Sequence, residues 1–232
     1  MRGIDRTLDA VPDRQARAVL ERLHAEARRQ MPKLILQGFP FLAKALLGGK
    51  PRWDRMEHLV EDKYICLEPY MGVFCYLLAR AIGARRVVEF GTSFGVSTIY
   101  LALAVRDNGG GTVIGTEMVP AKVKKAREHV AEAGLSDFVD IREGDARQTL
   151  QNLEAPVDFM LSDGFAPCAL DVLKLVAPRM REGAVVVTDN VAMFKADYAD
   201  YLAYVRDPSN GFSSGKLAFK ESLEMSVRHV PS

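Results

Sequence analysis

Five short apolar runs in this chain each close on a glycine, a carboxylate or both. They are Glu89-Phe-Gly91-Thr-Ser-Phe-Gly95, Glu117, Gly144-Asp145, Ser162-Asp163-Gly164 and Asp189-Asn190. Any one of these can be a turn or a helix cap, where Asp and Asn are common. Five in succession describe a ligand cradle. The first discriminates between ligands. Gly91 and Gly95 let the backbone approach a ligand closely and turn sharply. The spacing is E-x-G-x-x-x-G, however, and a dinucleotide turn has a third glycine that seats a pyrophosphate on a helix N-terminus. Glu89 would face any phosphate, so the loop suits a ligand with a positive amino group and no phosphate. Glu117 has the shape to bind two ribose hydroxyls, and Asp145 with Ala146 lies where an adenine ring would sit.

These residues need a scaffold, and the chain alternates short β-branched runs with helical spacing. The pattern predicts a helix over Tyr70–Ile82 stopped by Gly83, then strands over Arg86–Phe90, Thr112–Glu117, Phe138–Arg142, Val157–Ser162 and Ala184–Thr188. Between them fall helices over Phe94–Val105, Pro120–Ala133, Ala146–Leu153 and Cys168–Met180, with another starting at Tyr198. Right-handed βαβ units of this size build an α/β, doubly wound, mostly parallel sheet, Rossmann-like and seven-stranded. Such a sheet binds ligands at the carboxyl ends of its strands, where the five runs close. Phe212–Phe219 and Leu223–Val230 have no helix between them and read as a C-terminal antiparallel hairpin at the sheet edge.

The segment before this pattern has another texture. Ala16, Val19, Leu20, Leu23 and Ala27 share one helical face between Asp13 and Gln30. Leu34–Leu47 follows, interrupted by Gly38 and Pro40 and closed by Gly48-Gly49. Two or three helices are expected, with residues 1–66 as a helical extension and 67–232 as the ligand-binding domain. Trp53, in the link, reads as a packing residue.

Composition excludes several classes. With 31 basic and 30 acidic side chains the formal charge is +1, which leaves no footprint for nucleic acid or an anionic membrane. No apolar run approaches the roughly 20 residues that span a bilayer. The first residues lack the apolar core of a signal peptide, and Cys66, Cys75 and Cys168 form no Cys-x-x-Cys pair, so a cytoplasmic protein is expected. His24, His58, His129 and His229 have no paired ligand spacing, which argues against zinc. No G-x-S-x-G elbow occurs, which argues against a hydrolase.

S-adenosylmethionine carries the amino group, ribose and adenine that the first three runs suit. The run Val87-Val-Glu-Phe-Gly-Thr-Ser-Phe-Gly-Val-Ser97 followed by Glu117 resembles the cofactor motifs of class I methyltransferases. Val157-Asp-Phe-Met-Leu-Ser-Asp163 and Val187-Thr-Asp-Asn190 resemble, more narrowly, the cation-dependent catechol and caffeoyl-CoA O-methyltransferase group and its bacterial relatives. The resemblance runs from about Leu67 onward and includes Tyr201-Leu-Ala-Tyr-Val-Arg206 and Leu223-Glu224. It implies an S-adenosylmethionine-dependent O-methyltransferase working on a small aromatic or natural-product-like hydroxyl compound, with Mg²⁺ or a similar divalent cation, as a homodimer.

Carried over by position, the resemblance places Leu67, Glu89, Gly91, Thr92, Ser97, Glu117, Met118, Asp145, Ala146, Asp163 and Phe165 at the cofactor. It places Asp163, Asp189 and Asn190 at the metal, where three oxygen ligands would leave positions on an octahedral ion for water and substrate. Two departures stand out. The animal and plant enzymes have a general-base lysine three residues past the fourth-strand aspartate, and this chain has Ala166. The animal enzyme also has a glutamate before its final hairpin, and this chain has Gly215-Lys216. Lys195 is the alternative base, beside Asp163 as the other catalytic candidate, and Met193 with Phe194 give an apolar acceptor wall. A nicotinamide-dependent oxidoreductase and a non-catalytic cofactor-binding protein remain as alternatives.

Overall fold

The computed structural model describes residues 7–46, 66–218 and 223–229. Trp53, His58 and Gly48-Gly49 lie outside them. After a short 3-10 turn, α1 spans Arg14–Leu46 as one 33-residue helix. It runs through Gly38 and Pro40, where separate helices were expected. An interior proline costs about 3 kcal/mol and one hydrogen bond. Asp13 caps the helix: its Oδ1 accepts from the Ala16 N–H at 2.8 Å. Its Oδ2 accepts from Arg106 at 2.8 Å. Ala16, Val19, Leu20 and Leu23 are buried in the same core as the helices that follow.

Those helices are α2 (Pro69–Ala81) and α3 (Val96–Asp107) on one face, α4 (Pro120–Glu132), α5 (Ala146–Thr149), α6 (Ala169–Val176) and α7 (Ala199–Arg206). The strands are β1 (Arg86–Phe90), β2 (Thr112–Glu117), β3 (Val139–Glu143), β4 (Val157–Ser162), β5 (Met180–Thr188), β6 (Phe212–Leu217) and β7 (Leu223–Arg228). They form one sheet in the order β3-β2-β1-β4-β5-β7-β6. β1 to β5 are parallel, and β7 is antiparallel to both neighbours. Every residue of β4 is buried, as expected for a strand covered by helices on both faces. No described helix is long and apolar enough to cross a membrane.

Most boundaries agree with the sequence pattern to within one or two residues, and the largest differences lie around β5 and α5. The helix expected to end at Met180 stops at Val176, because β5 already starts at Met180. The strand expected over Ala184–Thr188 thus begins four residues earlier and includes Gly183, at φ +72°. The helix expected over Ala146–Leu153 is a single turn, with Leu150 and Leu153 buried beyond its end. The C-terminal hairpin closes the sheet edge as expected, with β7 between β5 and the outermost strand β6.

Two buried carboxylates pin this sheet. At the end opposite the ligand side, Asp158 Oδ2 accepts from the N–H groups of Arg85 and Arg86 at 2.8 Å each, and its Oδ1 accepts from Arg181 at 2.7 Å. Burial opposes ionisation there, yet the two N–H groups and the guanidinium hold its carboxyl below the usual range. A depressed pKa contributes stability above the unfolded-state value, lost as pH falls through the folded-state value. Asp158→Asn should therefore lower the melting temperature near neutral pH and flatten its decline below about pH 4, read by calorimetry from pH 3 to 7. The second carboxylate, Glu224 on β7, is fully buried. It takes both arms of the Arg206 guanidinium, at 2.8 and 2.7 Å, and the Ser214 hydroxyl at 2.8 Å.

Candidate functional site

The carboxyl ends of the parallel strands meet as the topology requires. Gly91, at φ +99°, carries the chain out of β1, and a Cβ there would lie 2.6 Å from the Asp163 carbonyl oxygen. The β1 and β4 loops thus touch backbone to backbone. Only glycine accepts both the left-handed conformation and this contact. Gly91→Ala is expected to weaken S-adenosylmethionine binding more than tenfold by calorimetry and to lower the melting temperature. The αL conformation alone costs roughly 1–2 kcal/mol, and the clash displaces the β4 loop.

Glu89 is fully buried beneath this loop. Its Oε2 accepts from the hydroxyls of Thr92, at 2.8 Å, and Thr98. Burial pushes its carboxyl up, opposed by hydrogen bonds from Thr98, Ser97 and Thr92. Its Oε1 has no hydrogen-bond partner among the described residues. A buried carboxylate oxygen left open is costly unless a donor arrives, and an ammonium group is such a donor.

Glu117, ending β2, accepts from the Ser93 N–H at 2.9 Å through Oε2 and from the Val119 N–H at 2.8 Å through Oε1. It locks the glycine loop, including Ser93 at φ +48°, to the start of α4. Each oxygen keeps a lone pair for a ribose hydroxyl. Asp145 caps α5 and pairs with Arg147 through both oxygens, at 2.6 to 3.1 Å. The Arg147 guanidinium and N–H hold its carboxyl below the ordinary range. Ala146 is buried beside it, and the Leu67 side chain is buried in the core, so only its backbone remains for a ligand. Met118 and Phe165, after β2 and β4, are 62% and 49% exposed. Two large apolar side chains in solvent flanking the β1 loop suit a flat ring.

The second cluster lies at the ends of β4 and β5. Asn190 adopts the left-handed conformation at φ +62°. This swings its amide to donate from Nδ2 to Asp163 Oδ1 at 2.9 Å, while its N–H donates to Asp189 Oδ1 at 2.8 Å. Asn190 thus bridges Asp163 and Asp189 at the ends of the two strands. Burial and the neighbouring Asp189 carboxylate push Asp163 well above the ordinary carboxylate range, the Asn190 bond opposing them. Two carboxylates and an amide at close quarters are hard oxygen donors suited to a divalent cation, once a half turn of the amide presents its oxygen. Among the described residues there is no group of three or more His, Cys, Asp or Glu side chains able to hold a metal.

Lys195 is not brought to this cluster. It is exposed in the loop between β5 and α7. Ala166 is buried in the turn after Phe165. Sequence reasoning missed Thr98, which holds Glu89 from α3, and Tyr198, buried where it feels both Asp163 and Asp189. Thr98 was legible in principle, at one turn beyond the loop. Tyr198 had no signal beyond an aromatic at a helix start.

Residues 88–191, the span holding every strand-end residue from Glu89 to Asn190, match a family model described as a methyltransferase domain. The chain is 35% identical over 172 residues to a catechol O-methyltransferase of Mycobacterium tuberculosis, covering 70% of this chain and 77% of that one. It is 33% identical over 131 residues to a catechol O-methyltransferase of Niastella koreensis, covering 55% and 58%. The fold superposes on the crystal structure of an O-methyltransferase from Bacillus cereus in complex with SAH. The TM-score is 0.63 at 26% identity, over 70% of this chain and 82% of that one.

Proposed function

The chain belongs to the S-adenosylmethionine-dependent O-methyltransferase family, and from that premise we propose that it methylates a hydroxyl of a small aromatic or natural-product-like molecule beside a divalent cation. The observation that carries the reading is the convergence of Asp163, Asp189 and Asn190 next to the glycine loop. Bound S-adenosylmethionine supplies an electrophilic sulfonium methyl, and a divalent ion held by those three residues supplies Lewis acidity toward the acceptor hydroxyl.

The chain's own residues do the rest. The open Oε1 of Glu89 receives the amino group of the cofactor. Glu117 holds the ribose, and Met118 and Phe165 cover the adenine and exclude water. Gly91 keeps the β1 loop tight against Asp163, which sets the cofactor and the acceptor side at one fixed separation. Methyl transfer is an in-line displacement, so fixed separation and alignment are the main contribution the protein makes. The acceptor rests between the Asp163 cluster and the apolar loop of Val191 to Lys195, where Met193 is largely exposed.

The test is transfer of a labelled methyl group to a panel of catechols and phenols, with and without EDTA. Turnover that falls at least tenfold with EDTA and returns with Mg²⁺ is expected. Turnover unaffected by EDTA would remove the cation and leave the methyltransferase. Calorimetric binding of NAD with no response to S-adenosylmethionine would remove the reading altogether. Ala166, in the place of the base lysine, favours a second reading, a binding protein without turnover. The same assay separates the two, because a binding protein takes up the cofactor and transfers nothing.

A further inference from the structure

The glycine loop that leads from β1 into α3 is gripped by one face of α4. Lys122, Ala126 and His129 follow one another at intervals of four and three residues, so their side chains share one side of that helix. Each meets the loop in its own way. His129 is 6% exposed, and its Nδ1 lies 2.9 Å from the carbonyl oxygen of Phe94, which is buried as well. A carbonyl only accepts, so Nδ1 carries the proton and donates. A Cβ on Gly95 would lie 3.1 Å from the Ala126 Cβ, so the loop backbone rests directly on the small side chain of α4. The Lys122 ammonium lies 5.8 Å from the centre of the Phe94 ring, within cation–π range.

The sheet holds only the first part of this loop. Gly91 packs on the backbone of the β4 loop, and the Thr92 N–H donates to the Thr116 carbonyl at 3.0 Å. The Ser93 N–H donates to Glu117. Beyond Ser93 the chain turns through Gly95, at φ +81°, into α3. The ladder of α3 opens with the Gly95 carbonyl, which accepts from the Ile99 N–H at 3.1 Å. The Phe94 carbonyl therefore lies one residue outside that ladder, and its donor comes from α4.

We infer that His129 is a positioning residue for the cofactor: its Nδ1–H holds the Phe94 carbonyl and keeps the glycine loop in the shape that receives S-adenosylmethionine before the ligand arrives. This rests on the cofactor reading given above and extends it to α4, a helix with no assigned cofactor contact. A loop ordered in advance spares the ligand the entropy of ordering it on binding. Without the His129 donor that cost falls on the cofactor and is read as lost affinity.

The test is calorimetric titration of the full chain with S-adenosylmethionine. His129→Leu removes the donor and is expected to raise the dissociation constant about five- to thirtyfold, the lower part of the range for a buried acceptor that loses its donor. Asn places its amide nitrogen near the Nδ1 position, whereas Gln reaches toward the Nε2 position. His129→Asn should therefore stay within about twofold of the wild type, and His129→Gln should behave like His129→Leu. In steady state the KM for S-adenosylmethionine should rise in the Leu and Gln variants. The kcat at saturating cofactor should change less than twofold, because bound cofactor restores the loop. A purely structural role would lower the melting temperature and leave the dissociation constant within twofold. Should His129→Leu not fold, the Asn and Gln pair carries the comparison, with amide hydrogen exchange as a second readout. Exchange over residues 91–95 should be at least fivefold faster in free His129→Gln than in the wild type, with β4 unchanged, and saturating S-adenosylmethionine should remove the difference. Equal affinity in wild type, His129→Leu and His129→Gln overturns the inference, as does an equal loss in His129→Asn and His129→Gln. A wild type that takes up no S-adenosylmethionine sinks the cofactor reading itself.

Discussion

Replacing Asp189 with alanine is expected to lower methyl transfer by on the order of 100-fold or more, with S-adenosylmethionine affinity within about threefold of the wild type. Loss of a residue that merely orients a metal ligand typically costs roughly 10- to 100-fold, and Asp189 is a candidate ligand itself. The cofactor contacts assigned to Glu89 and Glu117 lie on β1 and β2 and do not involve β5. The substitution also removes the carboxylate that raises Asp163, so Asp163 should ionise more readily in the variant. Asp189→Asn, which keeps one oxygen and loses the charge, should fall between the two. Labelled methyl transfer across a Mg²⁺ titration, with calorimetry of the cofactor, measures both halves. Equal turnover in Asp189→Ala and wild type would refute the cation assignment.

Arg206→Ala is expected to cost about 3 kcal/mol of stability, the low end for breaking a buried ion pair. Glu224 is fully buried, while the Arg206 side chain is 47% exposed. Water can reach part of the vacated space, and this sets the low end. Ser214 alone would remain to satisfy the carboxylate. For a chain of 232 residues this corresponds to a melting temperature lower by roughly 6–12 °C in scanning calorimetry. Adding Glu224→Leu should restore much of the loss, since an uncompensated buried charge costs more than an apolar replacement. Activity should fall too. Glu224 pairs in register with Thr188, the residue before Asp189, and Thr188 Oγ1 lies 2.6 Å from the Tyr201 hydroxyl on α7. Loosening β7 therefore loosens the platform that carries Asp189.

The parallel half of the molecule was legible because its signals are local. β1, β2 and β4 have the boundaries that β-branched runs and glycines predict, and the glycine loop lies where its spacing places it. Glu89 was singled out by its charge beside the loop. That Thr92 and Thr98 hold one oxygen and leave the other open was not legible, since it depends on how α3 docks over β1. Asn190 was singled out by resemblance as a candidate ligand, but its left-handed backbone, which turns the amide onto Asp163, is a tertiary outcome. α1 was misread at Gly38 and Pro40 because propensity marks a local cost and says nothing about the helix on either side. The His129 bond to the Phe94 carbonyl joins residues 35 positions apart, beyond the reach of any periodicity.

The placement of β7 has a consequence for how the molecule is made. It is the last strand in chain order, yet it sits inside the sheet, and β6 reaches the sheet only through it. A nascent chain that has already delivered β1 to β6 still holds β5 with an open row of backbone N–H and C=O groups, and β6 has nothing to pair with. During that interval the edge that will carry Asp189 is the one most able to capture a strand from another chain. Sheet assembly is therefore out of sequence order. The non-local β5–β7 pairing makes a late, slow closing step, and the end of β5 that leads to Asp189 is completed only when it occurs.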